Sequence, residues 1–490
     1  MKLPELIQGG MGVGVSGWRL ARAVSQAGQL GVVSGTMLDN VFARRLQDGD
    51  PGEHMRRASR HFPDKDMADR VVARYFVEGG KDPNAPYKSV PMFGLSPSLE
   101  LIELTVLANF AEVFLAREGH DGIVGINLLE KIQLPTLPSL YGAMLAGVDY
   151  VLMGAGIPKA IPGILDCLSR HESVSMRLDV LPDENGQRPD LQCSFEPYEQ
   201  LKSIVLKRPF FIAIVSSHAL ASTLCRKSSG KVNGFVIENH TAGGHNAPPR
   251  GELRLDERGE PIYGLRDQVD LKEIAKLGLP FWLAGSFGSS EKLLEARRVG
   301  AAGVQVGTPF AFCQESGIDP ELKAAVVEAL LSENVSVFTD PDASACGYPF
   351  KVLQLPGTLS EQSVFENRER ICDLGYLRSA YATKEGKIGW RCPGERQEDY
   401  VKKGGELADS NCRKCLCNGL ISTIGLGQTR SGGYKEEALV TAGEDVGLIK
   451  QFVNSEKLDY NAVEVVQHIT GVSSSSVVPV VRHGSPREVQ

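Results

Sequence analysis

The 490-residue sequence predicts a (β/α)₈ barrel that carries a helical insertion and a C-terminal extension. Eight short apolar segments, each long enough only for a strand, alternate with amphipathic helical segments over roughly the first 300 residues. Polar and glycine residues follow these strands directly, which is where a barrel places its chemistry. The alternation stops beyond Asp340. The alternative architecture is an open, doubly wound parallel sheet.

The chain opens with a βαβ unit, which predicts a parallel sheet. It consists of a strand at 6–8, a glycine-rich turn, a helix at 18–27 and a strand at 30–34. The other predicted barrel strands are 123–127, 150–154, 210–215, 232–237, 281–284 and 303–306, separated by helices at 99–118, 138–146, 158–169, 218–227, 271–277 and 291–299. The predicted domains are a barrel over 1–340, with a helical insertion at about 38–90 and a hairpin insertion at about 175–196, and an extension over 341–490 with a mobile tail.

The glycine-rich turn resembles a dinucleotide-binding fingerprint only in part. Gly10 and Gly12 form a GxG between a strand and a helix. The acidic residue expected at the end of the second strand is missing, because Ser34-Gly35-Thr36 stands there. A lone GxG is weak support for a dinucleotide fold.

Composition limits the class of partner. The chain has 53 Lys and Arg against 60 Asp and Glu, a net charge of −7, which argues against a nucleic-acid-binding protein. No signal peptide and no apolar run of ~18 residues is found, so no membrane span is expected and we predict a cytoplasmic protein. The expected partner is a small-molecule substrate, and a homo-oligomer is left open.

The stretch 232–251 holds the most informative pattern. A buried strand ends there in polar residues, followed by Gly243, Gly244 and His245. Glycines let a backbone approach a ligand closely, and histidine exchanges a proton near neutral pH. The sequence therefore indicates His245 as a catalytic acid or base, with His240 as its rival. The alternative is a tight turn with an exposed loop histidine.

The last two predicted βα units suggest a phosphate site. Strand seven ends in Gly285-Ser286-Phe287-Gly288, two serines then cap a helix, and strand eight ends in Gly307-Thr308. Backbone N–H groups at these two loops bind phosphate in many barrels. The alternative is ordinary helix capping plus a turn.

The sequence resembles the nitronate monooxygenase (2-nitropropane dioxygenase) family of FMN-dependent barrels, which includes flavin enoyl reductases of fatty acid and polyketide synthesis. The matching pieces are 7–11, 125–128, Ala242 to His245, the Gly285 loop and 303–308, in family order. Two departures stand out: Ser286 replaces a frequent second glycine, and the residues before and after the AGGH run differ from the usual pattern.

The resemblance implies that FMN lies across the barrel mouth and that His245 faces the substrate. The residues that it implies for FMN binding are Gly9, Gly10, Met11, Asn127, Ala242, Gly243, Gly244, Gly285, Ser286, Gly288, Gly307 and Thr308. The single phosphate cradle, without a paired dinucleotide fingerprint, favours FMN over FAD.

The extension holds a cysteine cluster. Cys412, Cys415 and Cys417 form a CxxCxC array, and Cys392 lies twenty residues before it. Four thiolates can bind zinc or an iron–sulfur cluster, with Cys372 as a substitute ligand. The alternative is reduced cysteines packed in a small subdomain.

The function that these patterns favour is an FMN-dependent oxidoreductase, a nitronate monooxygenase-like enzyme that oxidises a small nitronate or nitroalkane with O₂. The second hypothesis is a flavin enoyl reductase, with residues 55–90 of the helical insertion as a docking surface for a carrier-bound acyl chain. The third, from another class, is a non-catalytic flavin- or metal-binding interaction module. The sequence leaves the electron donor open.

Overall fold

The structure, a computed structural model that describes residues 3–183 and 186–471, has a closed eight-stranded parallel barrel at its centre. Its strands are β1 Leu6–Gln8, β2 Gly31–Ser34, β3 Val124–Leu129, β4 Tyr150–Gly154, β5 Phe210–Val215, β6 Gly234–Glu238, β7 Phe281–Ala284 and β8 Gly303–Val306. Hydrogen bonds join them in the order β1-β8-β7-β6-β5-β4-β3-β2. A parallel bridge between Ile7 and Leu30 joins the two ends of this order. The predicted (β/α)₈ barrel is therefore confirmed.

The barrel interior is a packed apolar core. Alternate residues of each strand point inward, as the period of a β-strand requires. The inward cluster consists of Ile7, Leu30, Val32, Tyr150, Leu152, Ile212, Val236, Trp282 and Ala284. The indole N–H of Trp282 donates to the carbonyl of Pro4 at 2.8 Å, which satisfies its buried donor. The floor of the barrel is thus filled by apolar side chains.

Helices cover the outside of the barrel. Those of residues 3–331 are Trp18–Gln26, Leu38–Gln47, His54–His61, Lys65–Tyr75, Leu99–Arg117, Thr136–Leu145, Ile161–Leu168, His218–Lys227, Leu271–Ala275, Ser290–Arg298, Thr308–Ala311 and Pro320–Leu331, with 3₁₀ turns at Glu199–Leu201 and Leu265–Asp267. Leu99–Arg117 is apolar on nearly all sides and correspondingly buried. In the described parts of the chain, no helix has both the length and the apolar character to cross a membrane.

Two segments interrupt the simple alternation of strands and helices. Three helices, from Leu38 to Tyr75, precede the long helix Leu99–Arg117 between β2 and β3, and the segment after β4 contains an antiparallel pair, Val174–Leu178 with Leu191–Phe195. Residues 184–185 of the predicted turn lie outside the described residues, as does the predicted mobile tail, residues 474–490.

The C-terminal part packs against the same core as the barrel helices. Strand Ser336–Asp340 pairs antiparallel with Phe350–Gln354, and Ser379–Ala382 pairs with Ile388–Arg391 and with Val180–Leu181 of the hairpin insertion. The helices of this part are Gln362–Asn367, Gln397–Lys402, Leu407–Ser410, Leu416–Ser422 and Ala462–Thr470, with the 3₁₀ segment Glu444–Gln451. Leu353, Val440 and Val446 belong to the main apolar cluster. The extension is thus continuous with the barrel core.

Buried charges hold the extension together. The Arg368 guanidinium donates two hydrogen bonds to the Glu436 carboxylate, at 2.7 and 3.0 Å, and both side chains are 2% exposed or less. Arg430 bridges the same carboxylate to Asp373. Burial raises the pKa of Asp373, but hydrogen bonds from Arg430 and Asn418 outweigh it and leave the pKa below its ordinary value. These paired charges join distant segments of the extension: Arg368 and Glu436 are 68 residues apart, and Arg430 and Asp373 are 57 apart.

Candidate active site

A cavity of about 390 Å³ opens at the carboxyl ends of the barrel strands. Its volume lies within the ordinary range of small-molecule sites. The sequence predicts thirteen cofactor-binding or catalytic residues, and twelve of them line this cavity: Gly9, Gly10, Met11, Asn127, Ala242, Gly243, Gly244, His245, Gly285, Ser286, Gly307 and Thr308. Gly288 lies behind the wall, where a Cβ atom would approach Leu448 and Pro309 to 3.2 Å. The structure therefore brings residues from five strand ends to one place.

Gly10 and Asn127 pack against each other so closely that position 10 has no space for a side chain. A Cβ atom at Gly10 would lie 2.3 Å from Cβ of Asn127, so only glycine fits. The Asn127 side-chain amide donates to the Gly10 carbonyl at 3.4 Å, a long hydrogen bond. Ser16 orders the rest of this turn, because its hydroxyl donates to the Gly9 carbonyl and accepts from the Met11 amide. The opening turn and β3 thus form one wall of the cavity.

The glycine-histidine loop after β6 is held by two segments of the extension. On one side, the amide of Lys351 donates to the Gly244 carbonyl at 3.0 Å. On the other, the Gly244 amide donates to the Thr441 hydroxyl at 2.9 Å. Gly243 packs so closely on this second segment that a Cβ atom would lie 2.9 Å from backbone atoms of Ala442 and Gly443. The loop geometry therefore depends on residues more than 100 positions later in the chain.

His245 lies at the cavity wall with one ring nitrogen engaged. Its Nε2 is 2.8 Å from the hydroxyl oxygen of Ser344, and its ring meets that of Phe350 edge to face at 4.8 Å. Within the described residues no hydrogen bond uses Nδ1. The rival His240 also lines the cavity, but its ring stacks on Tyr263 at 4.2 Å and burial lowers its pKa. His245 is thus the better placed of the two to exchange a proton with a ligand.

The two loops predicted to bind phosphate lie side by side, and the extension contacts them. The Thr308 hydroxyl accepts from the Gly443 amide at 2.9 Å and is hydrogen-bonded to the Asp445 carboxyl, whose pKa burial raises. In residues 3–183 and 186–471, no hydrogen bond uses the amides of Ser286, Phe287 or Gly288. The donors left for an anion are therefore backbone N–H groups rather than the Thr308 hydroxyl.

Ser286 has a backbone conformation that explains one departure from the family pattern. Its φ is 57°, in the left-handed region, and the preceding Gly285 has φ 93°. Glycine adopts this region freely, whereas another residue pays about 1–2 kcal/mol. The serine thus keeps a loop shape for which the resemblance expects a second glycine.

The polar lining fits a flavin. Three side-chain amide oxygens that border the cavity are buried without a hydrogen-bond partner among the described residues: those of Asn127, Asn246 and Gln305. Buried amide groups are normally paired, so unpaired ones facing a cavity indicate a ligand with N–H donors. The isoalloxazine ring carries such a donor beside its acceptors, and the free amides of the Gly285 loop suit its phosphate. The residues present thus fit FMN.

Glu238 is a site residue that the prediction omitted from its list. It closes β6 and lines the cavity, and no hydrogen bond to its carboxylate is found in the described residues. Burial raises its pKa from 4.5 to about 7. The sequence signal was present, since Glu238 is the first polar residue after an apolar strand, but the flanking polar residues masked it.

Replacing Glu238 by glutamine is expected to stabilise the cofactor-free protein at alkaline pH. A raised folded-state pKa means that the wild-type fold keeps its full stability below pH 4.5 and loses stability as the pH rises through about 7. The variant should unfold in urea with a free energy about 2 kcal/mol larger than wild type at pH 8, and with almost no difference near pH 4. Glu257→Gln, at an exposed position, is the control. A gain that is the same at both pH values would contradict the assignment.

The cysteines are arranged differently from the predicted set. Cys392, Cys415 and Cys417 line a second, small cavity together with Cys372, the substitute ligand. Cys412 is exposed and does not line it. Burial raises the pKa of Cys372 to about 12 and raises those of Cys392 and Cys417 strongly, which keeps these thiols protonated. Among the described residues, no group of three or more His, Cys, Asp or Glu side chains is arranged to hold a metal ion. This arrangement favours reduced thiols packed in the extension.

Comparison with known proteins gives structural matches alone. No family model and no curated protein sequence matches the chain. FabK from Thermotoga maritima matches with 17% identity and TM-score 0.46, over 96% of this chain and 92% of its own. Nitroalkane oxidase from Streptomyces ansochromogenes matches with 12% identity and TM-score 0.47, over 96% and 95%. The enoyl reductase domain of MlnA from Bacillus amyloliquefaciens matches with 11% identity and TM-score 0.46, over 95% and 93%.

Proposed function

We propose that the protein is an FMN-dependent oxidoreductase that oxidises a small nitronate with O₂. The observation that carries the proposal is the position of His245, which stands beside two glycines at the wall of a cavity with unpaired amide oxygens and free backbone N–H groups. A flat, polar-edged cofactor fits between these groups, and a small substrate above it would meet His245.

Each group has a separate task in this proposal. The loops after β7 and β8 would hold the phosphate through backbone amides, and Asn127, Asn246 and Gln305 would pair with polar atoms of the ring. The flavin, when bound, supplies the acceptor for electrons from the substrate. His245 would stabilise an anionic substrate, or move a proton to or from a neutral one, through Nδ1.

A flavin enoyl reductase is the second candidate, and one wall of the cavity favours it. Ile157, which is 50% exposed, lines the cavity with Ile214 and Leu220. An apolar, partly open wall suits an acyl chain better than it suits a small nitronate. In this reaction His245 would donate the proton that the reduced alkene gains.

Anaerobic spectroscopy distinguishes the two candidates. The purified protein is mixed without oxygen with an alkyl nitronate, with NADH or with NADPH, and the loss of flavin absorbance is followed. Bleaching by the nitronate alone supports the monooxygenase. Bleaching by a reduced nicotinamide, followed by reoxidation with an enoyl thioester, supports the reductase, and a colourless protein excludes both.

The cofactor released by heat is expected to be FMN, at one molecule per chain. The described residues place one pair of loops with the features expected of a phosphate site at the cavity, at the ends of β7 and β8. Mass spectrometry of the supernatant identifies the nucleotide, and absorbance gives the stoichiometry. Release of FAD, or of no flavin, would contradict this assignment.

A further inference from the structure

A side chain of the extension stands next to the proposed acid/base group. Ser344 is fully buried, and its hydroxyl oxygen lies 2.8 Å from Nε2 of His245 and 3.0 Å from Sγ of Cys346. The three groups therefore form a continuous hydrogen-bonded chain that leads from the cavity wall into the extension. Cys346 is partly exposed, whereas Ser344 is sealed from solvent.

We propose that Cys346 is a positioning residue that acts on His245 both directly and through Ser344, so that His245 presents an N–H group to an oxygen anion of the substrate; this inference rests on the proposed function. In the charged form of this hydrogen-bonded chain of side chains, Nε2–H of His245 donates to the Ser344 hydroxyl oxygen, and the Ser344 hydroxyl donates to the Cys346 thiolate. Nδ1–H then points away from the relay. The arrangement follows the logic of a catalytic triad, with a thiolate in place of the usual carboxylate.

Charge separation in this relay conserves protons and electrons. The S–H bond of Cys346 breaks as its proton passes to the Ser344 oxygen, and the Ser344 O–H proton passes to Nε2 of His245. The products are a thiolate and an imidazolium, with no change in net charge. No oxidant, reductant or further reactant takes part.

The surroundings of Cys346 favour the thiolate. Burial raises the pKa of this thiol, but hydrogen bonding to His245 and Ser344 and the charge of His245 outweigh it, and the pKa falls to about 7. The Arg413 guanidinium donates to the Ser344 carbonyl at 2.9 Å, and Asp342 is 3.7 Å from the same guanidinium.

The other charged or titratable groups near the relay contact partners other than Cys346. The Lys131 ammonium lies 5.7 Å from the Tyr348 ring. On the far side of the glycine-histidine loop, the Lys351 ammonium is paired with Glu444, and His240 stacks on Tyr263. Of these groups, His245 is the one whose charge acts on the Cys346 sulfur atom.

The ligand class follows from the group that faces the cavity. An N–H donor on an imidazolium binds an oxygen anion such as that of a nitronate, or the developing enolate oxygen of a thioester.

Cysteine alkylation tests the relay without any turnover. Short pulses of iodoacetamide from pH 5.5 to 9.5, followed by digestion and mass spectrometry, report the thiolate fraction of each cysteine. Cys346 should react with a midpoint near pH 7. In His245→Gln and in Ser344→Ala its rate at pH 7 should fall roughly tenfold, as the thiol returns to the ordinary range. Cys225 is exposed and has a raised pKa, so its profile should not change among the variants.

Several outcomes overturn the relay. They are a Cys346 midpoint of ~8.5 or above in the wild type, no Cys346 reaction at any pH, or an unchanged rate in both variants. Circular dichroism on each variant shows whether it is folded, and either folded variant is sufficient for the test. Because the labelling needs no substrate, failure of the nitronate assay with a normal labelling result would count against the proposed function alone.

Discussion

Replacing His245 by alanine is expected to lower turnover of any substrate that needs proton transfer by ~10²–10⁴-fold, while flavin content persists. The reason is positional: His245 lies on the cavity wall with Nδ1 outside any hydrogen bond of the described residues, and the free amides of the phosphate loops lie on other strands. Steady-state rates, normalised to flavin absorbance, measure the effect. Turnover of a nitronate, which is already ionised, should fall less than turnover of a neutral substrate.

His240→Ala is the matched control for this experiment. Its ring stacks on Tyr263 rather than joining a relay, so its loss should affect turnover only modestly. If His240→Ala abolishes turnover of the neutral substrate and His245→Ala leaves it intact, the acid/base group is His240.

Replacing Glu436 by glutamine is expected to lower the free energy of unfolding by about 3–5 kcal/mol. The carboxylate is fully buried and pairs with both Arg368 and Arg430, so the change leaves cations without their partner in the interior. Urea denaturation followed by circular dichroism measures the loss. Glu273→Gln, which removes an exposed ion pair with Lys276, should change stability by less than about 1 kcal/mol.

Two further results sharpen this prediction. Because isosteric apolar replacement of a buried ion pair is often tolerated, Arg368→Met combined with Glu436→Leu should destabilise less than Glu436→Gln alone if Arg430 keeps Asp373 as a partner. A loss below about 1 kcal/mol in Glu436→Gln would mean that water reaches this carboxylate, contrary to its burial.

The barrel was predictable because its strands carry local signals. The strand Phe210–Val215 is an apolar run ended by two serines, and its predicted limits agree with the structure. At β6 the predicted strand began two residues early and ended one residue early, since it was taken to stop at the last apolar side chain. The glycine-histidine loop was recognisable for a similar reason, because its residue types follow each other directly.

The contribution of the extension to the cavity was not predictable from the sequence. Ser344 meets His245 across 99 residues, and Thr441 meets Gly244 across 197, and neither lies in a motif. The 3₁₀ segment Glu444–Gln451 begins where the Glu444 amide donates to the Thr241 carbonyl of the barrel mouth. Such residues gain their role only from tertiary contacts, which no local pattern records.

Residues 349–351 and 441–443 hold the glycine-histidine loop between them, and both segments are synthesised after the barrel strands. When the ribosome has released the eight barrel strands, the last of which ends at Val306, the loop still lacks both of its supports. Closing a contact over 197 residues carries a chain-entropy cost that is met only once the later segment exists. Until residues 441–443 have been synthesised, the Gly244 amide lacks the Thr441 hydroxyl as its acceptor, so this wall of the cavity would take its final shape only when the extension has packed against the barrel.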